Sequence, residues 1–198
     1  MSLVQIFSQK FRRMTAGLLQ SCALFFVLAA CSGADKSVGI HLNEDDVFYR
    51  IVKNVPFYAQ ENYQCGPSSL AGVLNYYGQK VSPGQIADEI FGEKTRGTLS
   101  IDMAFYARKL GFDAQCYTGD AEDIKKNINK NQPLIAMVDL GVGPVKRPHY
   151  LVVVGYGNDK IIVNSGAHQH KPVSWDRFFK QWNRAHKWAL LIHPKKVP

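Results

Sequence analysis

The apolar positions of this chain change period once, near Pro133. Before that point they recur at helical spacing. Leu70, Ala71, Val73, Leu74 and Tyr77 form one face behind Cys65-Gly66-Pro67. Gly78 ends that segment, because glycine adopts the left-handed C′ conformation without strain. Ser82-Pro83-Gly84-Gln85 opens a second helix to about Phe91, with a serine cap, a proline at the first position and a glutamine placed for a capping box. A third runs from Ser100 to Leu110, stopped by Gly111, and a fourth begins at Asp120 with Ile124 and Ile128 one turn apart. Phe112–Tyr117 reads as a strand between them. After Pro133, Leu134–Leu140, Tyr150–Gly155 and Lys160–Val163 read as strands, the last two joined by Gly157-Asn158-Asp159 as a hairpin. The stretch between Gly166 and Pro172 reads as a loop. A final helix, Ser174–Arg184, leads into a strand at Trp188–His193, and Trp175, Phe178, Phe179, Trp182 and Trp188 are core aromatics of that pair. Helices first and antiparallel strands after them make an α+β domain, opened by a short extended segment near Tyr49–Tyr58.

The N-terminus follows a different logic. Lys10, Arg12 and Arg13, with no acidic residue before Asp35, precede an apolar run from Leu18 to Ala30. A basic stretch followed by a short apolar run is a secretory signal rather than a spanning helix. Residues 1–30 are therefore expected to be a signal peptide, 31–48 a polar tether, and 49–198 one folded domain, long enough for a single core. The formal charge of +8 on the whole chain falls to +5 without the three basic residues of the signal. The remaining Lys and Arg are dispersed and not interleaved with aromatics, which argues against a nucleic-acid partner.

Four cysteines are present. Cys22 lies in the apolar run and Cys31 at its end, leaving Cys65 and Cys116 in the domain, too few for a disulfide framework. Cys116 is expected to be a small buried hydrophobe in the strand Phe112–Tyr117. Cys65 enters its helix through Gln64-Cys65-Gly66-Pro67, and a helix N-terminus favours the thiolate, the form that attacks carbonyls. Gln60, five residues upstream, can present an amide N–H to a developing oxyanion. Among six histidines, His149 stands directly before an apolar strand, placed to act as a base. His168 and His170 at i, i+2 have no third ligand nearby in sequence, so neither a metal nor an organic cofactor is expected.

Three blocks also carry a resemblance: Gln60…Cys65-Gly66-Pro67, His149-Tyr150-Leu151-Val152-Val153-Val154-Gly155-Tyr156, and Val163-Asn164-Ser165-Gly166. They resemble the bacteriocin-processing, double-glycine-type cysteine peptidases of the papain-like superfamily, from about Val52 to the C-terminus. The resemblance implies a papain-like fold, with the nucleophile on the helical N-terminal half and the base on the antiparallel sheet of the C-terminal half. It implies Cys65 as nucleophile, His149 as base, Gln60 in the oxyanion hole and an orienting third residue. At that third place the family usually has Asp, and papain-like relatives have Asn followed by Ser. Asn164 is favoured here, because an amide oxygen can accept the imidazole N–H. An ungapped count falls nearer Ser165, and Asp139 and Asp159 are more distant alternatives.

Leu28-Ala29-Ala30-Cys31 resembles the lipobox of bacterial lipoproteins, which implies lipidation at Cys31 after cleavage. The expected protein is a membrane-anchored cysteine peptidase of the bacterial cell envelope, on the periplasmic face of the outer membrane if the host has one, acting on a peptide or protein. A catalytically inactive binding module of the same fold, and a cell-wall amidase using the same residues, are the alternatives.

Overall fold

The computed structural model describes residues 49–60, 64–92 and 97–195. The signal segment 1–30, the lipidation site Cys31 and the tether 31–48 lie outside the described residues.

The helical half contains α1 (Cys65–Tyr76), α2 (Pro83–Ile90), α3 (Ser100–Lys109) and α4 (Ala121–Asn129). Each begins where the sequence offers a cap or a bare entry. Ser82 caps α2 with a complete capping box to Gln85, and Asp120 caps α4 through the Asp123 amide. Each cap satisfies first-turn amides that have no intrahelical partner. A two-stranded ribbon, β2 (Phe91–Gly92) with β3 (Gly97–Thr98), connects α2 to α3 and was not expected from the sequence.

The sheet half contains β1 (Tyr49–Ile51), β4 (Phe112–Thr118), β5 (Leu134–Asp139), β6 (Pro148–Gly157), β7 (Lys160–Ser165), β8 (His168–Ser174) and β9 (Trp188–Pro194). They form one antiparallel sheet in the order β4-β9-β5-β6-β7-β8, with β1 paired to the far end of β6. The polar stretch between Gly166 and Pro172, expected to be a loop, is the start of β8. Its residues are largely exposed because β8 is an edge strand with little apolar face for alternation to reveal, and Pro172 is tolerated at such an edge. A last helix, α5 (Trp175–Arg184), is capped by Ser174 and packs against β5, β7 and β8.

The core lies between the sheet and its helices. Leu70 and Leu74 of α1, Met103 of α3, Ile124 and Ile128 of α4, and Phe178 and Trp182 of α5 are essentially fully buried, against Leu134, Ile135, Ile161 and Leu190 of the sheet. Cys65 and Cys116 are both free thiols. For the site, the useful outcome is that α1 packs directly on β5 and β6.

Candidate active site

Cys65 is the first residue of α1 and is half-buried. Gln64 precedes it without a side-chain cap, and the first turn holds no acidic residue, so the positive end of the helix is left open beside the thiol. Gly66 lets this end approach β3. A Cβ built at Gly66 would stand 3.0 Å from the Thr98 Cβ, so any larger residue would push the ribbon away from the cysteine.

Gln60 ties three segments together. Its backbone N–H donates to the Gly166 carbonyl at 2.9 Å, and its Oε1 accepts from the Gly166 amide at 2.9 Å. Its Nε2 donates to Ser69 Oγ at 3.3 Å and to the Tyr150 carbonyl at 3.4 Å. Ser69 lies one turn beyond Cys65, Tyr150 follows His149, and Gly166 follows Ser165. One glutamine thus fixes the helix of the cysteine against the strands of the histidine and the serine. Both Nε2 bonds are long and weak.

His149 lies within β6 rather than before it, paired across from Val138 of β5. Its Nε2 meets Ser165 Oγ at 2.9 Å. Among the described residues Cys65 has no hydrogen bond to His149, and Nδ1 is the ring nitrogen that the serine leaves free.

Asn164 does not reach the histidine, and strand geometry gives the reason. Side chains alternate faces along a strand. Val152 is paired with Asn164, so Asn164 shares the face of Val152 and Tyr150, while Ser165 shares the face of Leu151 and His149. Asn164 instead mends a bulge. The β7–β8 register shifts between Val163/Lys171 and Ser165/His168, leaving Gln169 and His170 opposite one residue, and His170 takes a left-handed φ of 51°. Asn164 Oδ1 accepts the His170 amide at 2.9 Å. The remaining alternatives are also committed elsewhere. Asp139 Oδ1 accepts the amides of Gly141 and Arg147 and its Oδ2 binds Arg184, while Asp159 pairs with Lys160. The Arg147 and Gly141 amides hold Asp139 below the usual carboxylate range, helped by Arg184. His168 and His170 are exposed on β8, and no group of three or more metal-binding side chains gathers among the described residues.

Sequence reasoning missed Tyr150 and Ser100. The Tyr150 hydroxyl shares a 2.7 Å bond with Ser100 Oγ at the start of α3, and its ring meets Trp188 edge-on at 5.6 Å. Burial raises the Tyr150 pKa, Ser100 opposes that, and the Cys65 and Cys116 thiols both act on the hydroxyl electrostatically. Cys116 itself points at the Ser100 carbonyl, 3.8 Å away, and burial raises its pKa. The spacing Pro148-His149-Tyr150 would not have revealed this bracing, which joins residues fifty positions apart.

Electrostatics distinguish His149 from an ordinary imidazole. Burial above all, then the charges of Arg147 and Lys171, push it down to about 4. The ring is therefore neutral near physiological pH. A stability effect follows from linkage. Above about pH 6.5, the unperturbed histidine value, neither folded nor unfolded chain binds a proton here. As pH falls from about 6.5 towards 4, the unfolded chain takes up a proton that the folded site refuses. Stability then drops by up to about 3 kcal/mol. Urea unfolding at pH 7.5 and pH 4.5 should show this extra loss in the native protein and not in His149→Asn. Equal losses in the two proteins would remove the assignment.

With the geometry in view, the comparisons with known proteins become informative. The Peptidase_C39-like family model matches residues 52–190. No curated protein matches the chain. Among solved structures, the peptidase domain of Streptococcus ComA, a bifunctional ABC transporter involved in a quorum-sensing pathway, superposes with a TM-score of 0.59 at 24% identity, covering 72% of this chain and all of that domain. A putative C39-like peptidase from Bacillus anthracis gives 0.62 at 19% identity, over 77% of this chain and all of the other. A double glycine motif protease from an AMS/PCAT transporter, solved with its leader peptide, gives 0.57 at 23% identity, over 72% of this chain and 93% of the other. These likenesses establish the mixed helix and antiparallel-sheet architecture as the papain-like peptidase fold, and the family match covers the glutamine, the cysteine, the histidine and the serine alike. On that match, the chain belongs to the Peptidase_C39-like family.

Proposed function

We propose that this protein is a cysteine peptidase in which Cys65 attacks a peptide carbonyl, His149 moves the proton and Ser165, rather than Asn164, orients His149. The observation that carries the reading is the 2.9 Å contact between His149 Nε2 and Ser165 Oγ, which leaves Nδ1 for the thiol. Because the ring is held neutral, it acts as a base during attack rather than resting as an imidazolium paired with a thiolate. The Cys65 sulfur bonds the carbonyl carbon as its proton passes to Nδ1. The oxyanion takes N–H bonds from the Cys65 backbone and from Gln60 Nε2, whose two long bonds are the ones it would exchange. The proton then passes to the leaving amine as the C–N bond breaks. Water hydrolyses the thioester by the same route in reverse order, returning the free thiol. A peptide substrate is supported by the leader peptide bound to the similar transporter protease.

The test is a thiol-directed activity probe applied to wild type and Cys65→Ala. Selective labelling of the wild type is expected, and equal labelling would end the nucleophile claim. It would leave the inactive binding module, which a hydroxyl in the third place favours more than a carboxylate would. Ser165→Ala should lower kcat about tenfold, the scale of one lost positioning hydrogen bond. Ser165→Asp should raise the apparent pKa of the acid limb of the pH–rate profile, because a carboxylate favours the imidazolium. An unchanged profile in both variants would dismiss Ser165 from this role.

The same proposal includes the envelope location, which rests on Leu28-Ala29-Ala30-Cys31. A fatty-acid analogue fed to cells should label the wild-type protein and not Cys31→Ser. Label retained by the variant would refute the anchor.

A further inference from the structure

The side chain of Gln60 is held tightly at one end and loosely at the other. Its Oε1 accepts the Gly166 amide at 2.9 Å, and its backbone N–H donates to the Gly166 carbonyl at 2.9 Å, so the two residues form a closed clasp. Nε2 has only the 3.3 Å contact to Ser69 Oγ and the 3.4 Å contact to the Tyr150 carbonyl. These partners also fix which way the carboxamide faces. A backbone amide can only donate, so the atom against Gly166 is the oxygen. A backbone carbonyl can only accept, so the atom against Tyr150 is the nitrogen. Gly166 opens the two-residue turn between β7 and β8, and its φ of 60° is one that L side chains rarely adopt. A Cβ built there would meet nothing within 4 Å, so the glycine serves the backbone conformation and not packing. The residue before it, Ser165, is the one that meets His149.

We propose that Gly166 is a positioning residue for the oxyanion site: its amide holds the Gln60 carboxamide so that N–H, rather than oxygen, is offered to the developing negative charge. That role rests on the peptidase reading above, and Gly166 performs it through Gln60. Turned the other way, the carboxamide would set its oxygen against the oxyanion and oppose the reaction. The clasp prevents that turn. Rotation would set Nε2 against the Gly166 N–H, donor to donor, and Oε1 against the Tyr150 carbonyl, acceptor to acceptor. The long bonds at Nε2 are then the ones that yield to a charged acceptor, which binds an N–H about twice as strongly as a neutral one. β7 thereby ends in two adjacent residues with separate tasks, Ser165 at the base and Gly166 at the oxyanion donor.

The experiment compares two reactions of one thiol on the full chain, with Cys65→Ala as the background for other nucleophiles. 4-Nitrophenyl acetate acylates the thiol through a tetrahedral oxyanion and releases 4-nitrophenolate. Iodoacetamide alkylates the same thiol by displacing iodide, and no oxyanion forms. Gln60→Ala should slow acylation about a hundredfold, the scale of one lost oxyanion donor, and leave alkylation within about twofold. Gly166→Val, whose β-branched side chain disfavours a positive φ, should slow acylation about tenfold with alkylation again little changed. Gly166→Asn accepts a positive φ more readily and should lose less; it carries the comparison if the valine variant does not fold. Joined to Gln60→Ala, either Gly166 variant should add no further loss, because the glycine acts through that glutamine. A role in the fold at large would add its own loss. Additive losses, acylation at the wild-type rate in both Gly166 variants, or acylation and alkylation slowing together would each overturn the role of Gly166 and leave the peptidase reading standing. A wild-type Cys65 that is not acylated above the Cys65→Ala background would overturn both.

Discussion

Replacing Cys65 with alanine should lower kcat/KM on any peptide that the wild type cleaves by at least about 10⁴-fold, the scale on which covalent catalysis collapses when its nucleophile is removed. The fold should survive, because Cys65 is half-buried at the first position of α1 and alanine suits a helix. His149→Ala should cost nearly as much. The double variant should be scarcely worse than either, since in the proposed mechanism thiol and base act as one unit and their losses do not add. The measurement is single-turnover cleavage of a quenched fluorescent peptide, with the circular dichroism spectrum as a check on folding. Residual cleavage within tenfold of wild type in a folded Cys65→Ala protein would mean that another group carries the reaction.

The largest effect on stability is expected at Trp182. Its side chain is fully buried, with ring centroids 5.1 Å from Phe178 and 6.1 Å from Phe179, and its indole N–H donates to the Trp188 carbonyl at 2.9 Å. Trp182→Ala leaves a large cavity and an unpaired carbonyl, a loss of about 3–5 kcal/mol. Domains of this kind are stable by about 5–15 kcal/mol, so the variant should show a much lower urea midpoint. Trp182→Phe keeps most of the apolar volume and should cost clearly less. A midpoint shift for the alanine variant worth under about 1 kcal/mol would show that α5 is not held to the sheet by this side chain.

Trp182 also shows why the helices were legible in advance. Phe178 and Trp182 stand one turn apart and point inward together, as the helical period requires. The capping box at Ser82–Gln85 was equally visible, because every atom it uses lies within four residues. The strands β5, β6, β7 and β9 appeared as apolar runs because they are central and buried on both faces. β8 was hidden for the opposite reason. An edge strand with exposed side chains has no pattern to read, and its backbone pairing with β7 is a property of the sheet.

By itself the sequence singled out the candidate residues for the proposed chemistry: a cysteine at a helix start, a glutamine five residues before it, and a histidine on an apolar strand. These are local features, set by neighbours in the chain. The third position depended on the tertiary structure, because Asn164 and Ser165 are adjacent in sequence and the pairing of β7 with β6 decides which of them faces His149. A shift of one residue in that register would exchange their places. Burial in that packing, with the charges of Arg147 and Lys171, keeps the histidine neutral. No spacing along the chain could carry that information, because burial and the field at a ring depend on what packs around it from distant parts of the sequence.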